Sequence, residues 1–257
     1  MSKIDIKLAL VNGETEAAKT SAQELKELYD FVPIEEADVI VALGGDGFML
    51  HLLHELLDLE TPIFGMNLGT VGFLLNKFSS KKLISRINNG IPFNMHPLKM
   101  EAETIDGQTI EALAFNEVSL LRETRQTAKI KIFVDGKLRL DELACDGVLL
   151  STPAGSTAYN LSAHGPIIPM NANILALTPI SAFRPRRWRG ALLSQHVEIK
   201  FEICHPEKRP VSAVADTIEV RNVTSVMIKQ DQSTSKALLF DKRHTLEERI
   251  LDEQFIG

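Results

Sequence analysis

Strand and helix patterns alternate along the first third of the sequence, and this alternation constrains the fold more than any other feature. Apolar runs predict three strands, at residues 6–11, 38–43 and 62–66. Helical spacing follows each strand, at residues 17–29, 48–59 and, starting at a capping Ser79, 79–88. The second strand is apolar almost throughout, which indicates burial on both faces. We therefore predict an α/β domain with a doubly wound, largely parallel sheet.

The pattern changes at about residue 96, where helical spacing nearly vanishes and short strand-like runs begin. The predicted strands lie at residues 98–104, 112–121, 129–134, 138–143, 197–203, 212–215, 217–220 and 225–229. The dipeptides Asp106-Gly107 and Asp135-Gly136 are typical of hairpin turns. We expect an α/β domain at 1–95, an antiparallel β-rich domain at 96–235, and a C-terminal segment at 236–257 that returns to the first domain. Residues 243–255 of that segment have a polar, helix-like pattern.

Composition and charge exclude several classes of protein. The chain has 257 residues, of which 44% are hydrophobic, so it can bury one large core or two modest ones. Its net charge of −6 disfavours a general nucleic-acid or anionic-membrane surface, because both partners require a basic face. Two cysteines without CxxC spacing indicate neither a disulfide framework nor a zinc knuckle. Neither a secretory signal nor an apolar run of ~18 residues is present, and we expect a cytoplasmic protein.

The strongest chemical signal is the loop Gly44-Gly45-Asp46-Gly47 between a buried strand and a helix. Glycines allow a ligand to approach the backbone closely, and the N-terminus of the following helix favours an anion, so the loop predicts a phosphate site. Asp46 could cap the helix, coordinate a metal or accept a proton from a hydroxyl group. A tight strand-to-helix turn with a capping aspartate is the alternative explanation for the same residues.

Three common nucleotide-binding signatures are absent from the sequence. It contains no GxxxxGK[ST], no HRD and DFG pair, and no GxGxxG. These absences disfavour a P-loop kinase, a protein kinase and a Rossmann dehydrogenase, respectively.

Two segments of the β-rich part carry further polar candidates. Asn116 and Glu117 precede a strand side by side, so their side chains point to opposite faces. Asn116 can pair with the edge of adenine and Glu117 can accept from ribose or amide groups, although a turn asparagine with an exposed glutamate would look the same. Residues 146–160 concentrate Ser, Thr, Gly and Pro, which suits a sugar or phosphate. Ala158 leaves room for a planar ring beside Tyr159.

Four motifs occur in one order along the chain: GGDG, GMN-LGTVGFL at 65–74, the Asn116-Glu117 pair, and DG-x3-STPAGSTAYN. With them the chain resembles the bacterial NAD kinase family, and the motifs extend from residue 39 to residue 169. The resemblance implies transfer of the γ-phosphoryl group of ATP, or of another donor, to the 2′-hydroxyl of the adenosine ribose of NAD, which makes NADP. It also implies a divalent metal ion, preferably Mg²⁺, NAD in the cleft between two domains, and a homo-oligomer that is usually a tetramer.

The same resemblance implies roles for individual residues. Asp46 would be the general base that takes the proton from the ribose hydroxyl. The phosphate loop would consist of Gly44, Gly45 and Gly47. No protein side chain is assigned to the metal. His51 would face the phosphates, Asn116 and Glu117 would bind adenine and ribose, and Asp216 would lie towards nicotinamide. Asp146 would meet either the nicotinamide side or the ligand of a neighbouring subunit. The residues expected to contact NAD are Asp46, Gly47, His51, Asn116, Glu117, Asp146, Thr157, Ala158, Tyr159, Asn160, Leu161, Ser162 and Asp216.

Several features depart from the family pattern or leave alternatives open. Phe48 stands where the family usually has threonine, so a hydroxyl contact to phosphate is lost, and the loop at 177–189 is shorter than usual. The arginines from Arg184 to Arg189 form either a solvated or subunit-bridging loop or a site for ATP phosphates. The spacing of His51 and His54 permits a shared metal, although a surface or core position for His54 is the simpler expectation. A lipid kinase with GGDG and a non-catalytic NAD-binding regulator are the competing functions. The sequence contains no donor-specific motif, and it does not separate NAD from NADH as acceptor.

Overall fold

The computed structural model describes residues 6–69 and 72–242, which belong to two compact units. One unit is His96–Ser233, and the other combines the residues before His96 with those after Ser233. The elements before His96 are β1 (Leu8–Asn12), α1 (Glu16–Leu28), β2 (Val39–Gly44), α2 (Asp46–Glu55), β3 (Ile63–Asn67), β4 (Asn76–Lys77), α3 (Leu83–Asn88) and β5 (Ile91–Met95). The elements from His96 onward are β6 (Leu98–Thr104), β7 (Thr109–Ala114), β8 (Glu117–Arg122), β9 (Ala128–Val134), β10 (Lys137–Cys145), β11 (Gly147–Ser151), α4 (Tyr159–Ser162), β12 (Ile174–Ile180), β13 (Ala191–Ser194), β14 (Ile199–Ile203), β15 (Val211–Ala215), β16 (Ile218–Val220), β17 (Val223–Gln230) and, in the first unit again, β18 (Lys236–Phe240).

A single sheet organises the first unit. Its strands lie in the order β1-β2-β3-β18-β5, and β4 pairs with β3 beside this path. The strands β1, β2, β3 and β18 run parallel, whereas β5 pairs antiparallel with β18. Every residue of β2 is buried, as its apolar sequence predicted. The sheet is therefore largely parallel, with the chain returning through β18 to a place between β3 and β5.

Helices lie on both faces of this sheet. Leu25 of α1 and Leu83 of α3 belong to the apolar cluster on the face that carries Val41. Met49 of α2 lies on the other face, because it occupies the space that a Cβ at Gly65 of β3 would enter. The helix that follows the GGDG loop is thus packed against the sheet on the side opposite to α1 and α3.

The predicted helix at 79–88 is shorter in the structure, and the predicted serine cap is wrong. The helix α3 begins at Leu83, directly after Lys82, which adopts a left-handed φ of 58°. Ser79 instead accepts a hydrogen bond at 3.3 Å from the amide two residues later, which closes a turn before the helix. The Tyr29 hydroxyl accepts from the Leu83 amide at 3.2 Å and donates to the Ser80 carbonyl at 2.8 Å. A side chain from the end of α1 therefore fixes the start of α3.

Two antiparallel six-stranded sheets form the second unit, with strand orders β10-β9-β14-β17-β6-β7 and β13-β12-β11-β8-β15-β16. Residues from both sheets meet in one apolar core, in which Met100, Ile130, Leu150 and Phe201 are fully buried. Alternate positions along each strand point into this core, as the period of two along a strand requires. The prediction of an antiparallel β-rich region is confirmed.

The two predicted hairpin turns are present in this unit. Asp106-Gly107 joins β6 to β7, and Asp135-Gly136 joins β9 to β10. Gly107 and Gly136 adopt φ values of 82° and 71°, which glycine accepts without strain. The strand predicted at 112–121 is wrong in one respect, because the chain leaves the ladder at Phe115-Asn116 and forms two strands, β7 and β8. This break forms the turn that contains Asn116.

No helix within residues 6–69 and 72–242 is long and apolar enough to cross a bilayer. Cys145 is buried, Cys204 is partly buried, and both thiols are free. The helix predicted at 243–255 lies outside the described residues.

Candidate active site

The GGDG loop lies at the carboxyl end of β2, beside the end of β3. Gly44 is paired with Asn67 in the parallel register, and the Gly44 carbonyl accepts a hydrogen bond from the Leu68 amide at 2.8 Å. The helix α2 begins at Asp46, earlier than residue 48 where its apolar spacing predicted it, and Gly45 is the N-cap. The loop therefore ends in a helix N-terminus at the sheet edge where open α/β folds bind ligands.

The Asp46 carboxylate is bound by backbone amides of the loop that follows β3. Its Oδ2 accepts from Gly72 N at 3.1 Å and from Phe73 N at 2.9 Å, and its Oδ1 accepts from Leu74 N at 2.9 Å. Asp46 is the first helical residue, so the alternative in which it caps α2 is wrong. An ionised carboxylate accepts about four hydrogen bonds, which leaves about one position open to a ligand. The side chain is thus fixed in orientation without being fully occupied.

The three glycines of the loop differ in what surrounds them. A Cβ at Gly44 would lie 2.4 Å from the ring of Phe48, so packing within the protein demands glycine there. A Cβ at Gly45 or Gly47 would meet no atom of residues 6–69 and 72–242 within 4 Å, and neither residue has a positive φ. Neither packing nor backbone conformation explains glycine at 45 and 47. The space beside these two residues is available to a ligand.

Phe48, which replaces the threonine of the family pattern, is half-buried against two glycine-containing turns. Its ring contacts Gly44 and lies 3.6 Å from the position of a Cβ at Gly13. Gly13 directly follows β1, so the ring covers the neighbouring ends of β1 and β2. The departure from the family pattern thus replaces a hydroxyl group by apolar packing.

The two histidines after the loop lie on α2 without a metal site around them. His51 is on the exposed face, with 75% of its side chain exposed, and its Nε2 lies 3.9 Å from Glu55 Oε2 one turn away. His54 is partly buried near the end of the helix. Among residues 6–69 and 72–242, no three His, Cys, Asp or Glu side chains are grouped so that they could hold a metal ion.

The Asn116-Glu117 turn is held by a carboxylate from a distant part of the chain. Asp216 accepts hydrogen bonds from the amides of Phe115 at 2.7 Å, Asn116 at 3.0 Å and Glu117 at 3.4 Å. Asp216 lies between β15 and β16 and adopts a left-handed φ of 49°. Its carboxylate therefore shapes the turn, and the predicted contact with nicotinamide stays a prediction.

Glu117, the first residue of β8, carries an unusual carboxyl group. Its Oε2 is buried and has no hydrogen-bond partner, the one such side-chain atom in the part of the chain that the structure describes. The Tyr159 amide donates a hydrogen bond to this carboxyl group. Burial and, to a smaller extent, the charge of Asp216 raise the pKa of Glu117 to about 8. Glu117 is therefore mostly a neutral acid at pH 7.

The segment after β11 is hydrogen-bonded to the Asn116-Glu117 turn. The Thr152 hydroxyl donates to the Phe115 carbonyl at 2.6 Å and accepts from the Gly155 amide at 3.1 Å. The Thr152 amide donates to the Asn116 carbonyl at 2.9 Å. A Cβ at Gly155 would lie 2.2 Å from that carbonyl oxygen, so the close approach requires glycine. Two motifs that are separate in the sequence thus form one continuous structure.

Residues 157–162 comprise the end of a 3₁₀ turn, Ala154–Thr157, and the single-turn helix α4. Asn160 is completely buried, and its Nδ2 donates to the carbonyls of Ser156 at 3.1 Å and Pro166 at 2.9 Å. Its Oδ1 accepts from the Thr178 hydroxyl at 2.7 Å. Asn160 therefore supports the segment from inside. The members of the segment with accessible surface are Thr157, Ala158, Tyr159, Leu161 and Ser162.

Asp146, between β10 and β11, forms an ion pair with Arg122. The Arg122 Nε lies 2.6 Å from Asp146 Oδ1, and the two side chains are 33% and 39% exposed. Contact of Asp146 with nicotinamide or with a ligand of a neighbouring subunit stays a prediction.

The arginine-rich loop begins at Ser181, because residues 177–180 belong to β12. It is anchored to β10 through the amides of Phe183 and Arg184, which donate to the Ala144 carbonyl at 2.7 and 3.1 Å. The guanidinium groups of Arg184 and Arg186 lie 5.7 and 5.4 Å from the centre of the Phe183 ring. The loop is exposed, and both predicted roles for its arginines stay open.

The residues that support Asp46 were not predicted from the sequence. Its donors follow a different strand, and no side-chain pattern marks a backbone amide.

At the other end of α2, the buried Nζ of Lys236 donates to the carbonyls of Leu56, at 2.7 Å, and Leu59. Burial lowers the pKa of this amine. A single lysine at the start of an apolar strand was the only available signal for this contact.

Two domain families match the chain. The ATP-NAD kinase N-terminal domain matches residues 5–90, and the ATP-NAD kinase C-terminal domain matches residues 115–241. The NAD kinase of Caulobacter vibrioides is 57% identical over 249 residues, which cover 97% of this chain and 96% of that protein. The NAD kinase of Rhizorhabdus wittichii is 55% identical over 251 residues, covering 97% and 98% of the two chains. The fold and the domain matches are thus those of a two-domain nucleotide kinase. The chain belongs to the NAD kinase family.

Solved structures of more distant proteins share the fold. Yeast NADH kinase complexed with NADH superposes with a TM-score of 0.79 at 21% identity, covering 98% of this chain and 88% of that chain. An NAD kinase from Archaeoglobus fulgidus in complex with ATP gives a TM-score of 0.74 at 24% identity, covering 96% of each chain. The chain therefore shares the fold of these proteins.

Proposed function

We infer that this member of the NAD kinase family phosphorylates NAD to NADP with ATP as donor, and that Asp46 activates the accepting hydroxyl. Identities of 51–57% to NAD kinases over nearly the full length support the reaction. One observation carries the assignment of Asp46. Its carboxylate, at the end of β2, is held by three amides of the loop after β3 and has about one acceptor position open.

The reaction requires the 2′-hydroxyl of the adenosine ribose to lose its proton while its oxygen attacks the γ-phosphorus. The bond from the γ-phosphorus to the bridging oxygen breaks, and ADP leaves in line with the attack. We propose that the proton of the 2′-hydroxyl passes to the open acceptor position of the Asp46 carboxylate. The amides of Gly72, Phe73 and Leu74 keep the carboxylate from rotating, so little rearrangement is needed when the hydroxyl arrives.

The phosphates are assigned to the open side of Gly45 and Gly47, at the N-terminus of α2. Exposed helix amides and the helix dipole favour an anion there, and the absence of side chains at these two residues permits close approach. The divalent cation, which we propose to be Mg²⁺, would enter as part of the substrate, bound to the phosphates of ATP. The metal would neutralise phosphate charge.

The remaining NAD contacts are assigned to the second unit. Asn116 is suited to adenine. Glu117 is suited to a ribose hydroxyl, because its Oε2 is a buried acceptor that lacks a partner among the described residues. Tyr159 and its accessible neighbours at 157–162 are proposed to line the pocket. Asp146 keeps the role proposed for it near nicotinamide, and Asp216 acts through the turn that it holds.

One assay tests both the function and the base. Purified protein is incubated with NAD or NADH, Mg²⁺ and ATP, another nucleoside triphosphate or polyphosphate, and NADP(H) is measured with a coupled NADP-specific dehydrogenase. We expect NADP from NAD and ATP, and Asp46→Asn should lower kcat by about 10²- to 10⁴-fold while NAD still binds. Asp58→Asn, at an exposed turn position after α2, is the matched control and should keep full activity. Unchanged turnover in Asp46→Asn would refute the base, and no NADP with any donor would refute the function.

Two finer assignments are proposed alongside. A homo-oligomer, as a tetramer, is supported by the exposed apolar side chains of Phe183 and of Leu192 on the edge strand β13, which are 50% and 54% accessible. Light scattering at increasing protein concentration would test it. A cytoplasmic location is supported by the two free thiols, which a reducing compartment preserves.

A further inference from the structure

The carboxyl group of Glu117 combines two features that a surface glutamate does not have. Its Oε2 is buried without a hydrogen-bond partner, and a second carboxyl group, that of Asp216, lies close enough to accept a bond from the Glu117 amide at 3.4 Å. A buried anion with an unpaired oxygen beside another carboxylate is unfavourable, because it loses hydration and meets a like charge. The arrangement therefore favours a neutral acid while the site is empty.

The surrounding groups provide little compensation for a charge on Glu117. The Tyr159 amide of α4 donates the one hydrogen bond that stabilises the carboxylate, and the charge of Asp216, in the β15–β16 turn, opposes it. Burial, followed by Glu117 and Asp146, raises the pKa of the Tyr159 phenol, so the phenol is neutral at pH 7. Within residues 6–69 and 72–242, no cationic side chain is among the groups that act on Glu117.

We propose that Glu117 is a neutral carboxylic acid in the ligand-free protein and an ionised carboxylate in the NAD complex, so that NAD binding releases a proton to solvent. This proposal rests on the proposed function, and it adds a pH linkage to the NAD site. A ribose hydroxyl that donates to Oε2 supplies the missing partner. Hydrogen bonds to a carboxylate are stronger than those to a neutral acid, so the ligand favours ionisation.

The proton balance is simple. The acid O–H bond of Glu117 breaks, its proton passes to water or buffer, and the ligand hydroxyl keeps its own proton while it donates a hydrogen bond to the new carboxylate. The pKa of about 8 in the free protein supports this proton release and determines how many protons are released at each pH. About 0.9 proton should be released per NAD bound at pH 7, and about 0.1 at pH 9.

Isothermal titration calorimetry measures this number directly. The full-length protein is titrated with NAD, without a phosphoryl donor, in buffers of the same pH and different ionisation enthalpies, at pH 6, 7, 8 and 9. The slope of observed enthalpy against buffer enthalpy gives the protons released. We expect the wild-type affinity to rise from pH 6 to pH 8 and then to level off, because the free pKa is about 8. The rise reaches about 50-fold when the carboxyl group of the complex titrates well below pH 6.

Two variants separate Glu117 from other titrating groups. Glu117→Gln should bind NAD with no proton release and with an affinity independent of pH. Asp216→Asn tolerates the left-handed φ and removes the neighbouring charge. It keeps one of the two oxygens that accept from the turn amides, and its Nδ2 replaces the other. It should therefore bind NAD and shift the midpoint of proton release to lower pH, a change that loss of structure alone would not produce.

The outcomes distinguish this proposal from the proposed function. NAD binding without a proton change at pH 7, or the same release from Glu117→Gln as from the wild type, would overturn the proton linkage and leave the kinase assignment intact. A wild-type protein that neither binds NAD nor forms NADP would overturn both. If Glu117→Gln fails to fold, an unshifted midpoint in Asp216→Asn would still contradict the linkage.

Discussion

Replacement of Gly47 by alanine tests whether the open space beside the GGDG loop belongs to a ligand. Gly47 is the second residue of α2, it is exposed, and a Cβ there would meet no atom of the described part of the chain within 4 Å. Alanine is favoured over glycine by about 0.8–1.0 kcal/mol in a helix interior, and by less in the first turn. Gly47→Ala should therefore raise the free energy of unfolding of the first unit by about 0.5 kcal/mol.

The same methyl group should lower the activity. If phosphate or ribose approaches the backbone of residue 47 closely, a Cβ occupies the space that the ligand needs. We expect kcat/KM to fall at least about tenfold, which corresponds to about 1.4 kcal/mol of lost transition-state stabilisation. Stability and activity would then change in opposite directions, whereas general damage to the fold would lower both.

Urea denaturation followed by far-UV circular dichroism gives the stability, and the coupled NADP assay gives the activity. Gly107→Ala is the matched control, because a Cβ there also meets nothing, but its φ of 82° makes alanine unfavourable by about 1–2 kcal/mol. That variant should lose stability and keep its kcat/KM. Full activity in Gly47→Ala would show that the space is not a ligand site. Lower stability would show that residue 47 is not an ordinary helical position.

Two further substitutions test how the site is supported. Lys236→Met removes the charged donor from the carbonyls of Leu56 and Leu59, of which the first keeps the Leu59 amide as a donor. It should lower the free energy of unfolding by about 1–3 kcal/mol in urea. The same change at Lys19, whose side chain is 56% exposed, should cost less than about 0.5 kcal/mol, and equal effects would contradict the role of Lys236. Thr152→Val removes the hydroxyl that bonds the Asn116-Glu117 turn and should cost about 1–3 kcal/mol and raise KM for NAD more than it lowers kcat. Thr152→Ser keeps the hydroxyl, and kinetics as poor as those of Thr152→Val would count against this reasoning.

The parts of the fold that depend on residues close together in the sequence could be predicted from it. The apolar run of β2 signals burial on both faces, and the two Asp-Gly turns signal hairpins, because these features are set locally. The predictions are wrong where a residue distant in the sequence determines the end of a helix or strand. Tyr29, which fixes the start of α3, is 54 positions from Leu83 in the sequence. Asp216, which holds the turn between β7 and β8, is 101 positions from Phe115.

The same limit applies to the candidate site. GGDG and the Asn116-Glu117 pair are compact enough to be found by inspection, and they select Asp46 and Glu117 as candidates. The hydrogen bonds of these two side chains depend on residues elsewhere in the chain. Asp46 receives three amides from the loop after β3, and the unpaired Oε2 of Glu117 results from how β8, α4 and Asp216 pack around it. Asn160 was selected by its motif, yet it is buried and bonded internally.

The structure also changes what the glycine-rich loop implies about the direction of ligand approach. The Phe48 ring covers Gly44 and the turn after β1, so this side of the loop is filled by the protein itself. The loop after β3 lies against Gly45, because a Cβ at Gly69 would be 3.5 Å from the Gly45 Cα. Open space remains at Gly45 and Gly47, on either side of Asp46 in the sequence. A phosphate bound at the loop therefore meets the N-terminus of α2 next to the carboxylate, which is the juxtaposition that phosphoryl transfer to a hydroxyl requires.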